Sequence, residues 1–203
     1  LTDAELAPQH ATQVGTHVTS NFSRQGYLQA VAQAVEYIHA GDIFQVNLAQ
    51  RLLSPATCPS VELYQRLRTR NPAPFAGYLD LGDFQIVSAS PERFLKLQGQ
   101  RVETRPIKGT RPRSKWPEAN LFAGDDLSTS RKDRAENVMI VDLMRNGLSR
   151  VCTPESVHVS QLCGLESYAF VQHLVSVVEG ELLPERSAVD LLRAAFPGGS
   201  ITG

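Results

Sequence analysis

The 203-residue chain is 42% hydrophobic and 20% charged, ordinary values for one sizeable globular domain that can bury a core without metal or disulfide staples. Twenty basic against twenty-one acidic side chains leave a formal charge of −1, which gives no electrostatic footprint for nucleic acid or anionic lipid. No run approaches the roughly 20 apolar residues of a bilayer span, and the three cysteines Cys58, Cys152 and Cys163 form no Cys-x-x-Cys pair, which argues against disulfides or structural zinc and for reduced thiols in a cytoplasm.

Residues 1–22 are polar, show neither a two-residue nor a 3.6-residue period, and read as a linker or lead-in. Leu28, Val31, Val35 and Ile38 then repeat at helical spacing, Gly41 supplies a left-handed stop, and FQVNLAQRL alternates Phe44, Val46 and Leu48 as a strand. A short helix is expected around VELYQRLR. FAGYLDL, DFQIVSAS, RFLKLQ and RVETRPI follow as successive strands, joined by glycine turns into an antiparallel meander.

The stretch from Arg111 to Leu127, rich in Pro, Asp and Gly, reads as an exposed loop. KDRAENVMIVDLMRNGLSRV sets Val138, Val141, Met144 and Leu148 on one face of a long helix. SVHVSQL and SYAFVQHLVSVVEG are strand-like, with Val171, His173, Val175 and Val177 on a common side, and SAVDLLRAAF is a final helix. Helices and strands come in blocks rather than as regular βαβ units, so the expected class is α+β, antiparallel sheets packed with helices. The chain opens on Leu1 and closes on PGGSITG, which resembles the middle of a functional loop, so a fragment incomplete at both ends is expected.

Several residues are of types that carry chemistry. Lys108 follows RVETRPI between Pro106 and Gly109, with Arg105 and Arg111 near in sequence. An ordinary lysine, of pKa about 10.4, is rarely uncharged at neutral pH, so nucleophilic use requires desolvation or neighbouring cations. The alternative is a solvated turn lysine or one that merely holds an anion. Glu92 in SASPERF can project toward a cleft and donate a proton, or can pair with Arg93. Asp133 and Glu136 lie three apart on a helix and suffice for half a magnesium site, or pair with Lys132 and Arg134. Asp142 and Arg145 look like a structural ion pair. His173 is either a satisfied core histidine or a group that orients a substrate hydroxyl. FPGGSITG offers backbone N–H groups that a carboxylate can approach, because Gly198 and Gly199 lack Cβ atoms.

The ordered blocks GDIFQVNLAQR, NPAPFAGYL, SASPERFL, TRPIKGTRPR, KDRAENVMIVDLMRN, HLVSVVEG and FPGGSITG resemble the chorismate-binding domain shared by anthranilate, aminodeoxychorismate, isochorismate and salicylate synthases, from about Phe22 to Gly203. The lysine of PIKGT is similar to the aminodeoxychorismate branch, whereas anthranilate synthases generally carry alanine there. The resemblance implies amination of chorismate in para-aminobenzoate and folate biosynthesis through a covalent Lys108 adduct. Glu92 would be the proton donor, and Glu136 with Asp133 would hold Mg2+. Thr110, His173, Gly198, Gly199, Ser200 and Thr202 would line the substrate pocket. Pro74, Phe75 and Ala76 match a segment that contacts bound tryptophan.

The implied partner is a glutamine amidotransferase subunit that supplies ammonia. Alternatives are anthranilate synthase component I and a non-catalytic truncated module for subunit pairing. Two departures stand out. Gly147 replaces the aspartate of the family's Arg-Asn-Asp, and the family continues, beyond a glycine loop like this one, to a second magnesium glutamate.

Overall fold

The computed structural model describes Leu6, residues 8–168 and residues 170–199. These fall into two compact units, one within Leu1–Pro72 and Gly77–Ser88, the other within Ala73–Ala76 and Ala89–Ser200. None of the helices among the described residues is long and apolar enough to cross a membrane.

In the first unit β1 (His10–Ala11), β2 (Thr19–Ser20) and β3 (Leu52–Leu53) form one small antiparallel sheet, so the expected lead-in contributes two strands. Helix α1 (Arg24–Ala40) is capped by Ser23, whose side chain accepts from the Gly26 N–H, and stops at Gly41 with φ of 82°. Its Leu28–Ile38 stripe forms as the periodicity requires, yet no residue of α1 or of α2 (Ser60–Arg70) is buried. Of the strand expected over FQVNLAQRL only the last residue, Leu52, lies in a strand, β3. Alternation alone does not make a strand without a neighbour to pair with, and Phe44 is 91% exposed. Strands β4 (Phe75–Asp80) and β5 (Gln85–Ser90) pair with each other as a separate two-stranded sheet.

The second unit is built around one strand. β10 (Val171–Glu181) pairs antiparallel with β9 (His158–Ser167) along one edge. Along the other edge it pairs with β8 (Ile107–Pro112) and then β7 (Arg101–Thr104), which lie end to end, while β6 (Lys96–Gln98) extends the sheet beyond β7. Of the meander expected from the sequence, the β4–β5 and β6–β7 pairings form, while β5 and β6 do not pair among the described residues. RVETRPI does not turn back; Pro106 has no N–H to give the ladder, so β7 and β8 are two strands of one line. The Pro106 carbonyl still accepts from the Ser176 N–H at 3.1 Å.

Helix α4 (Arg131–Ser149) lies against this sheet, with Asn137, Ile140, Val141, Met144, Gly147 and Leu148 buried. The expected stripe is right apart from Val138, which is 39% exposed. Val141 and Leu148 join Val102, Val178 and Leu191 in the main core cluster, Leu191 coming from α5 (Ala188–Ala195). Gly147 has a packing reason: a Cβ there would stand 3.0 Å from the Ala194 carbonyl oxygen, so its absence lets α4 and α5 touch.

The stretch expected to be an exposed loop contains helix α3 (Pro117–Thr129). Pro117 at its first turn and Glu118 beside it suit a helix N-terminus. The apolar signal is weak because Leu121 and Phe122 face outward, each 75% exposed, and only Gly124 and Leu127 are buried.

Candidate active site

Glu92 sits between β5 and β6, half-buried, where its Oε1 accepts from the Ile107 N–H at 3.1 Å. That bond draws the carboxyl to the start of β8, one residue before Lys108. Burial raises the pKa of Glu92 above its ordinary value; the Ile107 N–H and the nearby Lys108 and His173 pull it down without cancelling the effect. The ion pair considered for it does not form, since Arg93 pairs with Glu103 instead. A carboxyl whose pKa burial raises, next to an amine, is suited to give a proton to a leaving group.

Lys108 is half-buried on β8, with Leu174 of β10 as its cross-strand partner. The next pair is Thr110 with His173, so Gly109 is the extra residue of a β-bulge. Gly109 has φ of 77°, and a Cβ there would come within 2.7 Å of Leu127 Cδ1 and 2.9 Å of Asp133 Cβ. Only glycine permits both this backbone and this approach. The bulge thus brings β8 directly against the first turn of α4, where the Ser130 side chain caps the helix by accepting from the Asp133 N–H.

Thr110 Oγ1 and His173 Nδ1 are hydrogen-bonded at 2.9 Å, and the His173 ring meets that of Tyr168 edge-on at 5.4 Å between centroids. Behind them the Glu166 carboxylate takes Arg105 at 2.5 Å, the Tyr168 hydroxyl at 2.8 Å and the Gln161 amide at 3.1 Å. Burial works against the charge of Glu166, but Tyr168, Gln161 and Arg105 together outweigh it and hold the carboxyl below its ordinary range. His173 is therefore a bonded, half-buried strand residue, and the common side expected for residues 171–177 is disrupted by the bulge after it.

Both arginines expected to act on Lys108 are engaged elsewhere. Arg105 is bound to Glu166, and Arg111 bridges Asp126 at 2.7 Å and Asp133 at 3.2 Å. Asp133 consequently pairs with Arg111 rather than with its helix neighbours, while Glu136, one turn on, is 4.0 Å from Lys132. Asp142 and Arg145 do pair, at 3.6 Å on the exposed face.

Among the described residues no cluster of three or more His, Cys, Asp or Glu is arranged to hold a metal. Asp133 and Glu136 are of the donor type that magnesium takes, one or two protein carboxylates with water and substrate oxygens filling its shell, and Asp133 would have to exchange Arg111 for the ion. The close seat of Asp133 on Gly109 puts that donor beside the lysine strand.

Gly198 and Gly199 are buried, and packing accounts for both. A Cβ on Gly198 would lie 3.1 Å from Phe94, and one on Gly199 would lie 2.6 Å from Leu143 and 3.1 Å from Ile140. Ser200 and Thr202 lie outside the described residues. Pro74 and Phe75 line a cleft of about 180 Å³ with Pro91, Arg93, Arg105, Ile107, Tyr168 and Val175, and the Arg93 guanidinium lies 5.8 Å from the centre of the Phe75 ring. Ala76, the next residue, is half-buried on β4. Glu166, Tyr168 and Asn137 were not singled out in the sequence, because what marks them is contact across the sheet rather than any spacing along it.

Glu92 beside Lys108, with Asp133 seated on Gly109, lies on antiparallel strands backed by helices in an α+β fold. The chain belongs to the chorismate-binding enzyme family, whose model matches residues 1–203. It is 46% identical over 202 residues to aminodeoxychorismate synthase component 1 of Klebsiella aerogenes, covering 99% of this chain and 45% of that protein. It is also 47% identical over 184 residues to anthranilate synthase component 1 of Thermus thermophilus, covering 91% of this chain and 40% of that one. The crystal structure of anthranilate synthase component I from Streptococcus pneumoniae superposes with a TM-score of 0.81 at 33% identity, covering 98% of this chain and 42% of that one. The chain thus spans less than half the length of these relatives.

Proposed function

We propose that the chain carries the chorismate-aminating centre of an aminodeoxychorismate synthase component 1, with Lys108 as nucleophile. The observation that carries this reading is the adjacency of Lys108 to Glu92: a carboxyl raised by burial, fixed by the Ile107 N–H, beside a half-buried amine. The lone pair of Lys108 Nζ attacks C2 of chorismate, the ring double bonds shift, and the C4–O bond breaks. Glu92 protonates the departing hydroxyl, which leaves as water. The Glu92 carboxylate recovers a proton from the new secondary ammonium at Lys108. Ammonia then bonds to C4, the double bonds shift back, and the C2–N bond breaks as one proton of the added ammonium passes to the lysine nitrogen, which leaves 4-amino-4-deoxychorismate and the free lysine.

Asp133 and Glu136 would hold the Mg2+, which when bound offsets the charge of the substrate carboxylate. Thr110 and His173, joined at 2.9 Å, present a fixed polar pair for a substrate hydroxyl. Ammonia comes from glutamine through a partner amidotransferase subunit. The cleft beside Pro74 and Phe75 is the proposed place for tryptophan.

The similarity to anthranilate synthases supports a second reading, and the products separate the two. The full-length gene product, given chorismate, Mg2+ and ammonium, is expected to yield 4-amino-4-deoxychorismate with no pyruvate by chromatography. Anthranilate with an equal amount of pyruvate overturns the proposal.

A further inference from the structure

Asn137 is fully buried in the middle of α4, a position where an asparagine gains nothing for the helix and must find partners for its amide. It finds them on the strands. Its Nδ2 donates to the Leu174 carbonyl at 3.1 Å, and its Oδ1 accepts from the Ser176 hydroxyl and from the Cys163 thiol at 3.7 Å. Ser176, also fully buried, accepts in turn from the Cys163 N–H at 2.8 Å.

These partners sit where the ladders are irregular. The β8 register slips at His173/Leu174, the β9 register slips around Val175 to Val178, and Cys163 has φ of 51°. Bulges leave backbone and hydroxyl groups that need other partners, and a single amide supplies both a donor and an acceptor. Leu174, whose carbonyl is held, is the cross-strand partner of Lys108 and the neighbour of His173. Asn137 itself follows Glu136 directly and lies one turn from Asp133.

We infer that Asn137 is a positioning residue: it clamps α4 to the bulged stretch of β10 and so fixes the Asp133 and Glu136 carboxylates relative to Lys108 and His173. This rests on the reading of the site proposed above. The test uses the full-length gene product and calorimetric titration of Mg2+ in the presence of chorismate. Asn137→Leu keeps the branched shape and the number of side-chain heavy atoms, is bulkier, and removes the amide's hydrogen bonds, and it should weaken Mg2+ binding about tenfold or more, as loss of groups that orient metal ligands does. Ser176→Ala, which removes one bond of the clamp, should shift it in the same direction by less, and serves if Asn137→Leu does not fold.

Val178→Ala, in the separate core cluster around Val102 and Leu148, is the control for general destabilisation. It should leave Mg2+ binding within about twofold at a similar loss of melting temperature. Equal shifts in control and clamp variants, or none in either clamp variant, overturn the inference. If the parent protein binds neither Mg2+ nor chorismate, the functional reading has failed, and crystal structures of the variants then decide the clamp. The contact of Gly109 with Asp133 should open in Asn137→Leu or Ser176→Ala and stay closed in Val178→Ala. An unchanged contact overturns it.

Discussion

Replacing Lys108 by alanine should lower chorismate amination by about a thousandfold or more, the scale seen when a covalent nucleophile is removed. The fold should scarcely notice. Lys108 is half-buried, and its removal should change stability by about 0.5 kcal/mol, within the range of substitutions outside the packed core. Thermal melts that match the parent, with turnover collapsed, would place the lysine in the chemistry. Turnover within a few-fold of the parent would make it an anion-holding or surface residue.

Glu92→Gln carries the second large effect, and it acts in two directions. Amination should fall by about a hundred- to ten-thousandfold, because the amide cannot protonate the leaving hydroxyl. The glutamine oxygen can still accept from the Ile107 N–H, so the local backbone remains held. Stability should change with the opposite sign. Burial raises the Glu92 pKa, so the folded state holds this proton more tightly than the unfolded state does. Its stabilising contribution is complete below the unfolded value near 4.5 and is lost as pH rises through the folded value. Glutamine never ionises, so the variant should gain on the parent in melting temperature as pH rises above the unfolded value near 4.5 and until the folded carboxyl has ionised. A gap that shrinks over that range would mean that burial does not govern this carboxyl.

How much of this was legible in the sequence depends on how local each signal is. Helix α4 announced itself through Val141, Met144 and Leu148, and α1 through its stripe and Gly41. Helix α3 was hidden because Leu121 and Phe122 point outward, which leaves too little period to read. The sheet order was out of reach for a different reason. β10 arrives some seventy positions after β7 and pairs along both β7 and β8, and no hairpin signal records so distant a partner.

The site divides the same way. Lys108, Glu92, Asp133 and His173 could be named as candidates from residue type and block order, but not their joining. That depends on the Ile107 N–H, on the bulge at Gly109 and on the Leu127 and Asp133 side chains that a Cβ would strike. The roles first given to Arg105 and Arg111 illustrate the limit: sequence proximity to Lys108 was real, yet Glu166, Asp126 and Asp133 claim both guanidiniums. Gly147, conspicuous as a departure from the family's aspartate, is explained by the Ala194 carbonyl packed against it.

The central claim is that one amine forms a carbon–nitrogen bond to the substrate before ammonia enters. Intact-protein and peptide mass spectrometry of the full-length gene product, incubated with chorismate and Mg2+ and without any ammonia source, addresses it directly. The expected result is a mass increase equal to chorismate less one water, located on the peptide containing Lys108 and discharged when ammonium is added. An unmodified Lys108 peptide from protein that still aminates chorismate once ammonium is supplied would contradict it.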